Sequence, residues 1–152
     1  MSGLPFVVAF GGAGFGNAEK FGKPEDMQPL FDGLAKYGVD RIDTAQLYGN
    51  GYSEKLLGQG KAGEKFVIDT KWYGGFKSGT ATKDNVISSA KESIQKLGVD
   101  KVDVFYIHAP DTSIPFSETL EGVNEAHKLG LFKRFGLSVS CSSCCKVYGE
   151  RH

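Results

Sequence analysis

The sequence predicts an α/β fold built on a parallel sheet, and three observations predict it. Short apolar runs suited to buried strands alternate with amphipathic helical segments, which is the pattern of βαβ units. One design recurs: residues 37–43 (YGVDRID) and 97–103 (LGVDKVD) each read as helix end, glycine cap, turn and strand. The composition is that of an ordinary folded domain, with 40% hydrophobic and 24% charged residues in a chain of 152. Repetition of one supersecondary unit fits either a (β/α) barrel or a doubly wound sheet.

Taken in order, the chain opens with FVVAFGGAGFGN from Phe6, read as a strand running into a glycine-rich loop. Pro24, Glu25 and Asp26 open a helix, since proline suits a first turn and acids suit the positive end of the helix dipole. Met27, Leu30, Phe31, Leu34 and Tyr37 recur at spacings of three and four, and Gly38 ends that helix. Val39 to Ala45 and Phe66 to Thr70 are short enough and apolar enough for buried strands. Thr82 to Leu97 is the clearest helix, capped by Thr82, with Val86, Ile87, Ala90, Ile94 and Leu97 on one face and Gly98 as its stop. Val102 to Ala109 is a further strand, Thr119 to Leu129 a helix ended by Gly130, and Phe132 to Ser138 a fifth strand.

Composition narrows the function classes. Lysine plus arginine and aspartate plus glutamate both number 18, so the balanced charge gives no electrostatic case for nucleic acid or an anionic membrane. No apolar run approaches the roughly 20 residues of a membrane span. The segment from Met1 to Phe10 lacks the basic and apolar regions of a secretory signal, which makes a cytoplasmic location the expectation. The glycines at 11, 12, 14 and 16 fail the dinucleotide fingerprint G-x-G-x-x-G: begun at Gly12 its sixth position is Asn17, and begun at Gly11 its third is Ala13. Cys141 and Cys144 form one C-x-x-C pair, which supplies two ligands where a structural zinc site needs four. Cys145 and His152 could in principle complete it, but no metal is expected.

In parallel barrels chemistry collects at the C-terminal ends of strands. Asp43 ends the second predicted strand, Tyr48 follows in its loop, Lys71 ends the third and His108 the fourth. These four types form a coherent acid set. A phenol beside an ammonium ionises more readily, an aspartate holds the ammonium in place, and a histidine orients a hydrogen bond to a substrate oxygen. Singly, each has an ordinary structural explanation: Asp43 as a turn cap, Tyr48 as a packed aromatic, Lys71 as an exposed lysine, His108 as a core histidine. His127 reads as structural, and Trp72 and Tyr73 fit either a pocket wall or loop packing.

Residues 43–58 (DTAQLYGNGYSEKLLG) resemble the aldo-keto reductase signature, 69–71 (DTK) its lysine strand, 106–111 (YIHAPD) its histidine strand, and 133–138 (KRFGLS) its fifth barrel strand. The resemblance covers Phe6 to Ser138 and is nearest in character to aflatoxin-aldehyde reductases and related fungal enzymes. It implies a (β/α)8 TIM barrel, NADPH as hydride donor, and reduction of small-molecule aldehydes or ketones to alcohols, in detoxification or secondary metabolism. It also implies roles: Tyr48 donates the proton and Lys71 assists its ionisation. Asp43 pairs with Lys71 near the nicotinamide ribose, His108 orients the substrate carbonyl, and Ser138 contacts the nicotinamide carboxamide.

Departures set further expectations. A TIM barrel takes about 250 residues, so this chain is expected to hold about five of eight strand–helix units. Residues 1–138 would be the N-terminal part of the barrel and 139–152 a divergent cysteine-rich tail, with Val139 where the family pattern has asparagine. The acid half of the site is then encoded and most of the cofactor half is not. Open barrel edges are expected to favour self-association. The competing function is a catalytically silent, truncated fragment, acting as a binding partner or surviving as a gene remnant.

Overall fold

The computed structural model describes residues 6–16 and 21–138. Five strands lie in one sheet in sequence order, β1 (Ala9–Gly11), β2 (Arg41–Asp43), β3 (Val67–Trp72), β4 (Val102–Ile107) and β5 (Phe132–Leu137). Every neighbouring pair is parallel. The crossovers carry α1 (Met27–Lys36), α2 (Tyr52–Gln59), α3 (Lys83–Leu97) and α4 (Phe116–Lys128). Parallel neighbours require such crossovers, because a tight turn cannot return the chain to the same end of the sheet.

The apolar stripes of the helices explain the layer they form. Met27 and Phe31 of α1, Leu56 and Leu57 of α2, Val86 and Ala90 of α3, and Val123 and Ala126 of α4 are all buried with Ile42, Ile68, Phe105 and Ile107 of the strands. Adjacent helices also touch, α2 on α3 and α3 on α4. The other face of the sheet carries a charged cluster beside apolar residues such as Val104 and Leu137. It lines a cleft of about 520 Å³ bordered by Gly11, Arg41, Asp43, Asp69, Lys71, Tyr106, Arg134 and Ser138, with no helical residue among them.

Both predicted caps of the internal repeat are present. Gly38 and Gly98 take left-handed φ values of +72° and +65°, and Thr82 Oγ1 accepts the Asn85 backbone N–H at 3.4 Å. Other boundaries differ. The segment from Phe6 pairs as a strand only over Ala9–Gly11, and Val39 to Ala45 only over Arg41–Asp43, whereas the run from Phe66 continues as strand to Trp72. The last predicted helix begins earlier, at Phe116, behind Pro115. Tyr37 fits the periodicity of α1 yet lies beyond its end and is 79% exposed. The helix α2 is hidden in the sequence because half of its buried residues, Ser53 and Glu54, are polar. The proposed tail, 139–152, lies outside the described residues. Among the described residues no helix is long and apolar enough to cross a membrane.

Candidate active site

Strand pairing brings the predicted residues to one end of the sheet. Asp43 is in register with Gly11 and Asp69, and Lys71 with Tyr106. The ladder runs on past the strand ends. Gln46 N–H donates to Lys71 O at 3.0 Å, His108 N–H to Trp72 O at 2.8 Å, and Ser138 N–H to Ile107 O at 3.1 Å. These bonds fix the strand ends that carry Asp43, Lys71, His108 and Ser138.

Tyr48 is placed by a tight turn. Gly49, Asn50 and Gly51 all have positive φ, at 58°, 54° and 86°. A Cβ at Gly49 would meet Phe15 O at 2.6 Å, so a side chain there would push apart the turn and the loop after β1. Asparagine tolerates the left-handed region better than most residues, which suits Asn50.

The Lys71 ammonium donates to Asp43 Oδ2 at 2.5 Å and to Thr44 O at 3.0 Å. It also lies 5.3 Å from the Tyr48 ring centroid and 5.5 Å from that of Tyr106, within cation–π range of both. The ring of His108 meets Tyr48 edge-on at 5.8 Å and Phe76 edge-on at 5.2 Å. All four predicted acid-set residues are therefore neighbours, and Ser138 borders the same cleft as Asp43 and Lys71. Burial lowers the His108 pKa below its ordinary 6.5 and the Lys71 charge lowers it further, against a smaller opposing pull from Asp43. Its Nδ1 is buried with no hydrogen-bond partner among the described residues.

Residues of the long motif that do not reach the cleft pin it from behind. Thr44 Oγ1 and Ser53 Oγ are 2.7 Å apart, and Ser53 Oγ donates to Gly12 O at 3.2 Å. Gln46 Nε2 donates to Ser89 O at 3.0 Å and Ser93 Oγ at 2.9 Å, and Thr70 Oγ1 donates to the buried Glu54 at 2.6 Å. These bonds tie α2 and α3 to the strands that bear the site, although Gln46 Oε1 and Glu54 Oε2 stay buried without a hydrogen-bond partner among the described residues.

Three features escape sequence reading. Tyr106 shares the cleft because Gly136 gives it room: a Cβ there would sit 2.4 Å from its ring. Phe76 is 57% exposed beside His108, although nothing in its local sequence marks it. Arg41, Asp69, Asp103 and Arg134 form one ion network across four strands. Trp72, in contrast, is wholly buried in the core and is not a pocket wall, because its place on β3 turns it toward the helices. His127 packs against Phe132, in keeping with a structural role.

A sequence model of the aldo/keto reductase family matches residues 7–151. The chain is 41% identical over 139 residues to oxidoreductase sirO of Leptosphaeria maculans, covering 87% of this chain and 42% of that protein. It is 38% identical over 109 residues to human aflatoxin B1 aldehyde reductase member 4, covering 66% of this chain and 32% of that one. A thermostable aldo-keto reductase solved with the inhibitor epalrestat superposes with a TM-score of 0.78 at 28% identity, over 91% of this chain and 51% of its own. An aldo/keto reductase from Klebsiella pneumoniae, solved with NADP and acetate, gives 0.79 at 23% identity, over 96% and 50%. The chain belongs to the aldo/keto reductase family, and its fold is five consecutive strands of a (β/α)8 barrel with the four intervening helices. It spans less than half the length of the curated relatives it matches.

Proposed function

We infer that the chain carries the proton-donating half of a carbonyl reductase site, serving NADPH-dependent reduction of aldehydes or ketones to alcohols. The observation that carries this reading is the contact set of Lys71, which is bonded to Asp43 and lies against Tyr48, with His108 beside the same phenol ring. The likeness to a human protein named as an aflatoxin B1 aldehyde reductase supports a small carbonyl substrate; a role in detoxification or secondary metabolism, in the cytoplasm, completes our reading.

The residues present fit the nicotinamide end of the cofactor. Asp43 spends Oδ2 on Lys71, and among the described residues its Oδ1 accepts no hydrogen bond, which leaves an acceptor for a ribose hydroxyl. Ser138 borders the same cleft and would contact the carboxamide. When bound, NADPH supplies the hydride that reduces the carbonyl carbon.

The chain's own residues do the rest. Tyr48 Oη gives its proton to the carbonyl oxygen as the C=O π bond is reduced, leaving an alcohol and a phenolate. The Lys71 ammonium, 5.3 Å from the centre of the Tyr48 ring, stabilises that phenolate. Asp43 and Thr44 O hold the ammonium in place. Burial and the Lys71 charge both lower the His108 pKa, which favours its neutral form. With Nδ1 enclosed, Nε2 is the nitrogen available to orient the substrate oxygen.

Titrating the purified protein with NADPH and following the quenching of Trp72 fluorescence or the nucleotide's own emission tests this reading. Saturable binding that Asp43→Ala weakens is expected; binding that Asp43→Ala leaves unchanged contradicts it. A second reading rests on the outer edges of β1 and β5, which have no strand partner among the described residues. Such edges favour pairing with another chain, so the protein would self-associate and could serve as a binding partner without turnover. Sedimentation across a range of concentrations decides this: a concentration-dependent oligomer supports it and a monomer throughout opposes it.

A further inference from the structure

Beneath the tetrad lies a second layer of charge that the proposed chemistry does not use. Arg41 sits two residues before Asp43 on β2, and Asp69 two residues before Lys71 on β3. Side chains two apart share a face of a strand, and all four residues line the same cleft. Arg41 Nη1 donates to both oxygens of Asp69 at 2.8 Å and to Asp103 Oδ2 at 2.7 Å. The Arg41 and Asp69 side chains are only 18% and 5% exposed.

The two carboxylates depend on Arg41 unequally. Asp103 has other cations, Arg134 at 2.5 Å and Lys133 at 3.9 Å. Asp69 pairs with no cation but Arg41 among the described residues, and its remaining hydrogen bond comes from the backbone N–H of Val104 at 2.9 Å. A carboxylate so deeply buried is unstable without a cation. The nearest alternative along its own strand is Lys71, roughly 6.6 Å away between Cα atoms at the usual rise. That distance is within the reach of a lysine side chain.

We propose that Arg41 is a positioning residue of the tetrad: by occupying both oxygens of Asp69 it prevents that carboxylate from drawing the Lys71 ammonium down the cleft, away from Asp43 and Tyr48. Its importance for turnover rests on the reading that Lys71 serves Tyr48. The electrostatic arrangement itself does not, and can be tested without turnover.

His108 reports where the ammonium is. The charged groups that act on it are Lys71 on β3 and Asp43 on β2, while Tyr48 and Phe76 face it as rings. Lys71 depresses its pKa and Asp43 raises it. Moving the ammonium toward Asp69 weakens the first effect and leaves Asp43 unpaired to strengthen the second, so both changes raise the His108 pKa.

The test is an NMR titration of the 13C-labelled histidine rings in the full chain, as wild type, Arg41→Met and Arg41→Met/Asp69→Asn. In Arg41→Met the His108 midpoint should rise above the wild-type value. In the double variant, where no carboxylate competes for the ammonium, it should return to the wild-type value. An Arg41→Met protein that folds and titrates as wild type overturns the proposal. So does a double variant that stays as shifted as the single one. If Arg41→Met fails to fold, the double variant decides the matter. A folded double variant with a wild-type midpoint shows that the harm came from unpaired Asp69. One that is unfolded or still displaced shows that Arg41 merely ties strands together. Should Tyr48 prove not to be the proton donor, the catalytic reading fails in an activity assay, while the His108 midpoints still report where the ammonium sits.

Discussion

Lys71 reaches across from β3 to donate to Asp43 Oδ2 at 2.5 Å, and this pair fixes a cation 5.3 Å from the centre of the Tyr48 ring. The Lys71 side chain is 9% exposed, so its charge acts on the phenol with little screening by water. Lys71→Met should therefore do more than lower the rate. It leaves Asp43 without its cation and removes the positive charge beside the Tyr48 ring. The expected result is a fall in reduction rate together with a changed pH–rate profile; an unchanged profile would show that Lys71 does not assist the phenol.

His108 gives a stability signature of known sign. Its folded-state pKa is lowered below the unfolded value of about 6.5. Between those two values the unfolded chain binds more protons than the folded one, so stability increases as pH rises through that window and is lost as pH falls through it. Urea denaturation at pH 7.5 and pH 5.5 should show a smaller drop for His108→Gln than for wild type. Equal drops would mean that His108 contributes nothing to the acid sensitivity.

Glu54 has the opposite sign. Burial raises its pKa above 4.5, with the hydrogen bond from Thr70 acting the other way. The folded state then holds the proton more tightly, so this contribution to stability is full below pH 4.5 and declines as pH rises toward the folded value. Glu54→Gln keeps an oxygen for Thr70 and removes the ionisation. It should be at least as stable as wild type at pH 7, with the difference vanishing near pH 4. A variant less stable than wild type at pH 7 would show that Glu54 is needed as a carboxylate.

What the sequence disclosed and what it hid follow from the same physics. Periodicity and caps made α1, α3 and the strand cores legible, because an apolar stripe and a left-handed glycine are local signals. The helix α2 was not legible, since Ser53 and Glu54 are buried by partners on distant segments, Thr44 and Thr70. Asp43, Tyr48, Lys71 and His108 stood out as titratable groups at or just beyond predicted strand ends, and the structure brings them together. The two aspartates of the internal repeat show the limit. Asp43 ends β2 in the cleft, whereas Asp103 lies near the start of β4 and answers Arg41, a pairing 62 residues apart that no local pattern reports. Phe76 and Tyr106 were missed for the same reason, because their places depend on His108 and Gly136 across strands.

Proton donation by Tyr48 is the step on which the proposed reduction turns. It is tested in a reconstituted complete barrel carrying this segment, by comparing wild type with Tyr48→Phe in NADPH-dependent aldehyde reduction, with NADPH affinity measured in parallel. Phenylalanine keeps the ring over which the Lys71 ammonium lies and removes only the hydroxyl. Turnover should fall by roughly 10²–10⁴, the range for a positioned acid, with NADPH affinity nearly unchanged. A Tyr48→Phe protein that reduces the aldehyde at the wild-type rate would contradict the assignment of Tyr48 as the acid.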